Sequence, residues 1–415
     1  MTYAEWLLLL ASAVLTLLTL EVILRVCCPL FPSPYQPDDA LLVKLVPHAR
    51  KSFTRLSVNG GQRIVSQFNS EGFRGEEIRP LDHGQRVIVY GDSNVQAEFS
   101  DLPATFSKQL QSRLGAQVEV INAGVVGYGP DQYSLRLPGD LRRLKPNLAI
   151  TVIFADNDFG DLIRNRIYRL NPRGELELGR YRLAPSMRGQ LQSAAHPQGL
   201  RRLQLEKYAA KLWSMIRDRW RPQLNPYDAD PFNYVDLSLA HDQAAYREYL
   251  ADKADVSDVD NPFDDYYDAD IALQPESPSA RYKIALMEQV LIRLRDAAAA
   301  AATRFVIVIL PSPLDACDHY YFQVNAAKYP QYDRERLSGL VQAMAMRNGI
   351  PYLNLMPAFR AGDANRFYFH GGDDHWNDAG QALAAGLLSD MIKNLQLLDY
   401  ENFNSPAMNG DPRHE

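Results

Sequence analysis

Two residues that could act together as a nucleophile and its base stand far apart in this chain of 415 residues. Ser93 lies in the sequence GDSN, directly after an apolar run. A serine on a turn between a buried strand and a helix exposes its hydroxyl, but an alcohol needs a base to attack a carbonyl at neutral pH. His375, in the sequence DDHWND, follows two carboxylates that could fix its tautomer and stabilise the imidazolium. The pair indicates nucleophilic acyl chemistry, although either motif alone also suits an ordinary turn.

Two further loops offer hydrogen-bond donors for a developing oxyanion. Residues 122–129 read NAGVVGYG, a glycine-rich loop that leaves backbone N–H groups accessible. Residues 155–158 read ADND and offer a side-chain amide. Backbone N–H groups and asparagine amides are the donors of oxyanion holes, each contributing about 2.7–4 kcal/mol to the barrier reduction. Both loops follow apolar runs, as the serine does, so the four segments predict one site.

Five short apolar runs rich in β-branched residues predict the strands that position these loops. Such non-alternating runs are typical of strands buried on both faces of a parallel sheet. Amphipathic segments alternate with them, which predicts a three-layer α/β/α fold with functional residues at the carboxyl ends of the strands. The predicted strands are Arg86–Gly91, Val118–Asn122, Leu148–Phe154, Phe305–Leu310 and Ile350–Leu355, and the predicted helices are Ala104–Leu114, Asp131–Leu144, Ala280–Ala302, Tyr332–Arg347 and Asp378–Leu397.

These four polar blocks resemble those of the SGNH/GDSL hydrolase superfamily, which is named for a Ser, a Gly, an Asn and a His. The resemblance covers about residues 69–397, apart from an insertion. It implies a flavodoxin-like sheet of five parallel strands. It further implies that Ser93 is the nucleophile and the first oxyanion donor, that Gly127 is the second donor, and that Asn157 is the third.

The same resemblance makes His375 the base, but its block departs from the usual pattern. The triad aspartate usually lies three positions before the histidine, where this chain has Gly372. Many members carry D-x-H instead, so Asp373 is the expected partner of the histidine and Asp374 is the alternative. In the third block Ala155 replaces a usual glycine, a change that we expect to be tolerated.

The N-terminal segment predicts a membrane anchor. Residues 6–24 read WLLLLASAVLTLLTLEVIL, with Glu21 as the only charge. Nineteen helical residues span about 28 Å, close to a hydrocarbon core of about 30 Å. A cleavable signal peptide is disfavoured because no basic region precedes the run and no A-x-A site follows it, whereas a buried core helix remains the alternative. Residues 69–75 (NSEGFRG) resemble a stretch of anchored bacterial members, and we interpret them as a structural turn.

The orientation of this anchor follows from two opposing indications. Arg25 and later basic residues follow the span, and the positive-inside rule alone would place the domain in the cytoplasm. The chain also resembles anchored members that add or remove acetyl groups on cell-surface polysaccharides. We therefore expect a single-pass protein with a periplasmic or otherwise extracytoplasmic domain.

The chain divides into four predicted regions, one of which carries an insertion. The insertion, residues 160–279, follows the carboxyl end of a strand and is rich in Asp, Tyr, Pro and Arg, so a lid or substrate-selecting segment competes with a solvated elaboration. The sequence NGG predicts the turn of a β-hairpin in the linker. The regions are an anchor over 1–28, a linker with the hairpin over 29–80, the hydrolase domain over 81–398 and a flexible tail over 399–415.

Composition excludes several classes of protein. With 46% hydrophobic and 23% charged residues the chain is globular rather than disordered. The formal net charge of -6, without a dense Lys/Arg cluster, argues against nucleic-acid binding. Cys27, Cys28 and Cys317 give neither a disulfide framework nor a metal-ligand spacing. We therefore predict neither a metal nor a cofactor.

The predicted function is a serine-dependent ester hydrolase or acyl transferase, which by resemblance acts on O-acetyl groups of a surface carbohydrate. Water would resolve the acyl-enzyme in a hydrolase, and a sugar hydroxyl would do so in a transferase. Two alternatives remain open. A catalytically idle SGNH-fold protein that binds a glycan or an assembly partner is disfavoured by the intact Ser93, Asn157 and His375. A lipid-directed lipase or thioesterase would need an apolar groove.

Overall fold

The computed structural model of the chain describes residues 2–80, 84–220 and 230–399. Within these residues the strands are β1 Tyr35–Asp38, β2 Leu42–Leu45, β3 Arg50–Thr54, β4 Arg63–Gln67, β5 Gln85–Tyr90, β6 Val118–Asn122, β7 Leu148–Ala155, β8 Tyr168–Leu170, β9 Leu176–Leu178, β10 Tyr181–Leu183, β11 Ser257–Val259, β12 Arg304–Pro311 and β13 Tyr352–Asn354. The helices are α1 Tyr3–Cys27, α2 Ser93–Gln96, α3 Phe106–Leu114, α4 Pro130–Leu144, α5 Asp158–Asn165, α6 Pro185–Ala195, α7 Gln204–Trp220, α8 Asn233–Ala251, α9 Ala269–Leu273, α10 Pro278–Ala300, α11 Pro313–Ala316, α12 Arg336–Arg347, α13 Met356–Ala361 and α14 Asp378–Asn394.

The central sheet consists of the five strands that the apolar runs predicted. Its order is β6-β5-β7-β12-β13, and every pairing is parallel. Numbered along the chain, this is the 2-1-3-4-5 order of flavodoxin-like folds. The register places Val308 opposite Val152 on one side and Leu353 on the other. The predicted fold class, a flavodoxin-like parallel sheet of five strands, is confirmed.

The two faces of the sheet bury two separate apolar cores. Successive side chains of a strand point to opposite faces. Ile88 and Tyr90 of β5 therefore pack in one core with apolar side chains of α4, α10 and α12, whereas Val87 and Val89 pack in the other with those of α3 and α14. The strands lie between two helical layers, and this confirms the three-layer α/β/α architecture. Because the strands are parallel, the loops that follow them lie together at the carboxyl edge of the sheet.

The N-terminal region precedes the sheet as a long helix and two small β-pairs. Helix α1 is long and apolar enough to be a candidate membrane span, and its side chains are almost all exposed. Strands β1 and β2 form one antiparallel pair, and β3 and β4 form another. Between β3 and β4 the chain turns through Gly60 and Gly61, whose φ angles of 93° and 64° favour glycine.

The predicted insertion folds into short β-pairs and several helices. Its predicted first residue, Gly160, lies inside α5, so this segment begins as a continuation of a helix. Strands β8 and β9 pair antiparallel, and β10 pairs with β11 in parallel. The predicted tail over 399–415 falls, beyond Asp399, outside the described residues. The division of the chain into regions stays a prediction.

Candidate active site

The candidate nucleophile occupies a sharp turn between β5 and α2. Ser93 is the first residue of α2 and is partly buried. Asp92 caps this helix by accepting the N–H of Asn94 on Oδ1 at 2.8 Å. A Cβ atom at Gly91 would overlap the side chain of Val95, so only glycine permits the helix to pack this close to the end of the strand. The turn holds the serine at the carboxyl edge of the sheet, as predicted.

The candidate base lies on the loop before α14 and is held through one ring nitrogen. Nδ1 of His375 lies 2.8 Å from Oδ1 of Asp373 and 3.0 Å from Oδ1 of Asp374. Asp373 also accepts the backbone N–H of His375 at 3.0 Å, and the ring packs edge-on against Phe99, with centroids 4.7 Å apart. Nε2 is buried and has no hydrogen-bond partner within the described chain. This arrangement leaves Nε2 as the nitrogen that can accept a proton.

The two carboxylates also decide the basicity of the ring. Burial lowers the pKa of His375, but the charges and hydrogen bonds of Asp374 and Asp373 raise it by more, so the pKa lies well above its ordinary value. Burial acts in the opposite direction on Asp374, whose pKa is nevertheless lowered by the adjacent imidazolium. The two carboxylates therefore favour the charged form of the imidazole, the form that proton transfer from the serine would produce.

Two hydrogen bonds join the serine turn to the histidine loop. Trp376 donates its backbone N–H to Oδ1 of Asn94 at 3.2 Å and its indole N–H to the Asn94 carbonyl at 2.9 Å. Both residues are fully buried, and each directly follows a candidate catalytic residue. Among the described residues no hydrogen bond links Ser93 to His375. Such bonds are often long in free enzymes and tighten when substrate binds.

The candidate oxyanion donors lie on the segments that follow β5, β6 and β7. The backbone N–H groups of Ser93 and Gly127 donate no hydrogen bond to any described residue. Gly127 has a φ of +73°, which turns this loop in a way that few other residues allow. Asn157, at the start of α5, is 5% exposed, and its Oδ1 lacks a partner within the described chain. The backbone N–H groups of Ser93 and Gly127 are therefore available to a substrate oxygen.

The insertion covers the Gly127 loop, a contact that sequence reasoning missed. A Cβ atom at Gly127 would lie 2.6 Å from the Pro262 carbonyl oxygen and 2.9 Å from the ring of Phe263. Arg164 donates to the Gly127 carbonyl at 2.5 Å and forms an ion pair with Asp265 of the same segment. No local sequence pattern marks such a contact, because its partners are more than a hundred residues apart. The insertion is thus part of the wall of the candidate site.

The block of residues 69–75 is hydrogen-bonded to the chain that follows the serine turn. Asn69 forms the expected turn by accepting the N–H groups of two following residues. Arg74, buried within this block, donates to the carbonyl groups of Gln96, Ala97 and Ser100. Burial lowers the pKa of Arg74 to about 10. The sequence correctly predicted a turn in this segment. It did not predict that Arg74 holds the end of α2 and the residues after it by hydrogen bonds.

A buried carboxyl group beside the serine is also perturbed. Burial raises the pKa of Asp92 to about 6, against the opposing effect of the His375 charge. Burial likewise raises the pKa of Asp156, which accepts a hydrogen bond from the Ser312 hydroxyl. Asp92 therefore lies near enough to the imidazole for their charges to interact.

Two clusters of the described residues have the side-chain types of metal ligands. One consists of Asp373, Asp374 and His375, and the other contains three buried aspartates of α8 and α9 and the turn before α9. In the second cluster the Lys283 ammonium lies 2.6–3.0 Å from all three carboxylates and occupies the position that a cation would take. In the first, Nδ1 hydrogen-bonds to Asp373, as a base requires. The absence of a metal or cofactor from the reaction stays a prediction.

Comparison with known proteins finds likenesses among solved structures. No family profile matches the sequence, and no curated protein matches it. A lipase/acylhydrolase from Enterococcus faecalis is 10% identical, over 75% of this chain and 96% of its own, with a TM-score of 0.36. The carbohydrate acetylesterase Est24 from Sinorhizobium meliloti is 12% identical, over 75% and 99%, with a TM-score of 0.33. The acetylxylan esterase Axe2 from Geobacillus stearothermophilus is 10% identical, over 76% and 96%, with a TM-score of 0.37.

At these identities and TM-scores, the class of the protein rests on its own strands and side chains. The sheet has the 2-1-3-4-5 order, and all four polar blocks lie on the loops that follow its strands or precede its last helix. The chain therefore has a flavodoxin-like fold with its four polar blocks at one edge of the sheet, as the resemblance to SGNH/GDSL hydrolases led us to expect. The roles of individual side chains in that class are proposals for this protein.

Proposed function

We propose that this protein is a serine-dependent ester hydrolase or acyl transferase in which Ser93 is the nucleophile and His375 the base. The observation that carries the proposal is the hydrogen bonding of the His375 imidazole. Its Nδ1 is held by Asp373 while its Nε2 remains without a partner in the described chain. The loop that carries it is bonded through Trp376 to Asn94, the residue after the serine.

The proposed reaction begins with transfer of the Ser93 proton to Nε2 of His375 as Oγ attacks an ester carbonyl. Asp373 keeps the proton on Nδ1 and stabilises the imidazolium, and Asp374 adds a second negative charge beside it. The imidazolium then protonates the leaving alcohol, which departs as the acyl-enzyme forms. Water, or a sugar hydroxyl in a transferase, is deprotonated by the same imidazole and releases the acyl group from Ser93.

The negative charge of the tetrahedral intermediate is assigned to three donors. The backbone N–H groups of Ser93 and Gly127 donate to no described residue, which leaves them available to a substrate oxygen. The Asn157 side chain lies at the start of α5, beside this site. Donors that are already oriented need no reorganisation during the reaction, so each lowers the barrier without a compensating cost.

We further propose that the acyl group is short and that the alcohol belongs to a carbohydrate. A cavity of about 30 Å³ borders Asn157 and is lined by polar and aromatic insertion residues, among them His241 and Tyr266. That volume admits a group the size of water or a methyl group rather than a long acyl chain. A cavity of about 610 Å³ lies between α4 and α10, and its lining includes none of the four block residues. The small volume beside Asn157 supports a short acyl group over the long chain that a lipase would take.

We propose that α1 anchors the protein in a membrane, with the site on the extracytoplasmic side. The helix is 25 residues long, and only 6% of its most apolar stretch is buried against the rest of the chain. An apolar helix that packs on nothing in water is unfavourable, whereas in lipid its side chains need no protein partner. The orientation rests on the resemblance to anchored polysaccharide-modifying members.

The test uses the full chain in lipid nanodiscs with p-nitrophenyl acetate, butyrate and octanoate as substrates. We expect hydrolysis that favours acetate, no activity in Ser93→Ala, and a loss of about 10²–10³-fold in kcat for Asn157→Ala. Ser389→Ala is the matched control, because Ser389 is buried on α14 and its hydroxyl has no partner in the described chain. An acetyl adduct on Ser93, detected by mass spectrometry, would establish the acyl-enzyme.

Three outcomes decide against the proposal or refine it. Equal activity in the Ser93→Ala variant would show that another group performs the hydrolysis. A wild-type protein that is inert towards all three esters, both alone and with an oligosaccharide acceptor, would leave the glycan-binding alternative. Faster nitrophenol release with the acceptor, together with an acetylated sugar product, would identify a transferase.

A further inference from the structure

Helix α7 of the insertion exposes a continuous apolar face. Its apolar residues recur at intervals of three and four, as in an amphipathic helix. Leu212, Trp213, Met215 and Ile216 are 58%, 67%, 60% and 41% exposed. Soluble domains rarely leave several large apolar side chains together in water, so a face of this kind needs an occupant.

The start of α7 is built onto the end of α1. The carboxylate of Glu21, the one charge within the apolar run, accepts the backbone N–H groups of Gln204 and Leu205 at 2.9 Å each. Arg25 pairs with the same carboxylate at 2.6 Å. The four first N–H groups of a helix lack partners within it, so Glu21 caps α7 as well as favouring its dipole. The two helices are therefore joined at the level of Glu21.

Later contacts of α7 show in which direction it leaves α1. Lys207 donates to the Leu30 carbonyl at 2.8 Å, and the Tyr208 hydroxyl donates to the Cys28 carbonyl at 2.7 Å. These partners lie beyond the C-terminal end of α1, whereas Glu21 lies inside it. Helix α7 thus runs from the last turns of α1 towards the segment that follows, and not back along the apolar body of α1.

The charges around this apolar face fit the surface of a bilayer. The segment before α7 exposes Leu200, which is 75% accessible and is followed by two exposed basic residues, Arg201 and Arg202. Lys211 is exposed on α7 itself, at the border of the apolar face. Apolar side chains edged by lysine and arginine are the pattern of helices that lie in the interface between lipid headgroups and acyl chains.

We propose that α7 is an interfacial helix whose apolar face is immersed in the same membrane that α1 crosses. The inference rests on the proposed anchoring of α1. We assign a lipid surface as the occupant of the apolar face of α7 because α7 begins at the end of the α1 span. One helix alone would leave the domain free to rotate about its anchor. Two joined membrane contacts fix which side of the domain faces the bilayer, and so fix the direction from which a substrate reaches Ser93.

The test measures oxygen and nickel accessibility of nitroxide labels on the full chain in nanodiscs of phosphatidylcholine and phosphatidylglycerol. Cys27 and Cys28 are first replaced by Ser, while Cys317 stays because it is buried and burial raises its pKa to about 12. Labels are placed by Leu212→Cys and Ile216→Cys on the apolar face. Ser214→Cys on the opposite face is the matched control, and Leu15→Cys reports on α1.

We expect the labels at 212 and 216 to collide more with oxygen than with nickel, as lipid-immersed groups do, and the label at 214 to show the reverse. The inference is overturned if 212 and 216 match 214, since the face would then lie in water. It is also overturned if both reagents are excluded, since a protein partner or a second copy would then cover the face. The label at Leu15 separates the two proposals: oxygen preference there with water exposure at 212 sustains the anchor and rejects the interfacial helix.

Discussion

Asn94 and Trp376 are 282 residues apart in the chain, yet two hydrogen bonds join them in the buried centre of the site. Both ends of the asparagine take part, because its side-chain oxygen accepts the tryptophan backbone N–H and its carbonyl accepts the indole N–H. The residues that precede them are the proposed nucleophile and base. Because Asn94 directly follows the serine and Trp376 directly follows the histidine, these bonds limit how far the two loops can move apart. Proton transfer requires the two reactive side chains to stay close together.

Trp376→Phe removes the indole donor and keeps an aromatic ring in the core. The Asn94 carbonyl then loses its partner, at a cost of about 1–3 kcal/mol in unfolding free energy. We expect kcat for acetate esters to fall by about 10–100-fold with KM little changed, because the loops and not the substrate contacts are disturbed. Steady-state kinetics and urea unfolding measure both effects.

Tyr368→Phe is the control for this substitution. Tyr368 is buried on the same loop and donates its hydroxyl to the Pro311 carbonyl at 2.6 Å, and no hydrogen bond among the described residues joins it to the serine turn. It should lose a similar amount of stability and keep its kcat. An equal loss of kcat in both variants would show that general destabilisation, and not the link to Asn94, accounts for the effect of Trp376→Phe.

The pH dependence of the reaction follows from the raised pKa of His375. Only the neutral imidazole accepts a proton, so kcat/KM should rise with pH and level off above a pKa higher than the ordinary value of about 6.5. Asp374→Asn removes one negative charge and keeps the Asp373 hydrogen bond, so this limb should move to lower pH. Asp390→Asn, an exposed change on α14, should leave it in place.

The same interaction makes a prediction about stability. A histidine whose pKa is raised by folding stabilises the folded state fully below its unfolded pKa, and this contribution is lost as pH rises through the folded pKa. The stability difference between wild type and Asp374→Asn should therefore shrink towards alkaline pH. A kcat/KM limb that stays at the same pH in Asp374→Asn would show that this carboxylate does not control the base.

Lys283 should contribute strongly to the attachment of the insertion. Its ammonium, 2% exposed as a side chain, lies within 3.0 Å of carboxylate oxygens of Asp242, Asp268 and Asp270. These join α8 and the segment around α9 to α10. Lys283→Met leaves buried carboxylates uncompensated, and we expect a loss of about 3–5 kcal/mol in unfolding free energy.

The penalty of Lys283→Met should also depend on pH. Uncompensated buried carboxylates have raised pKa values, so acidification neutralises them and the variant should approach the wild type as pH falls. Lys253→Met, an exposed change in the insertion, should alter stability by no more than about 0.5 kcal/mol. Thermal unfolding at several pH values measures both variants, and a pH-independent penalty would contradict the electrostatic explanation.

Strands and helices were predictable where a local pattern determines them. The run Val118–Asn122 is β6 to the residue, because a β-branched apolar segment has few alternatives to burial in a sheet. Ends of elements were less accurate. Helix α12 begins at Arg336 rather than Tyr332, since Tyr332 lies in a preceding turn and donates its hydroxyl to buried Asp315 at 2.6 Å.

The choice between two adjacent carboxylates shows where local reasoning ends. Asp373 and Asp374 stand two positions and one position before the histidine, and the resemblance alone favoured the first. In the structure Asp373 accepts hydrogen bonds from both the ring and the backbone N–H of His375, whereas Asp374 contacts the ring alone, with Oδ1 3.0 Å from Nδ1. Only side-chain directions separate these roles, and one-dimensional spacing does not encode them.

The sequence by itself determined the α/β layering, the sites of the four polar blocks and the apolar helix at the N-terminus, because short periods and local composition record how each segment is buried. Tertiary structure alone decided that Asn94 meets Trp376, that Pro262 and Phe263 lie over Gly127, and that Glu21 caps a helix of the insertion. These contacts join positions whose separation follows no period. Such contacts form only when a common core brings the two positions together, and buried polar groups then form hydrogen bonds with each other.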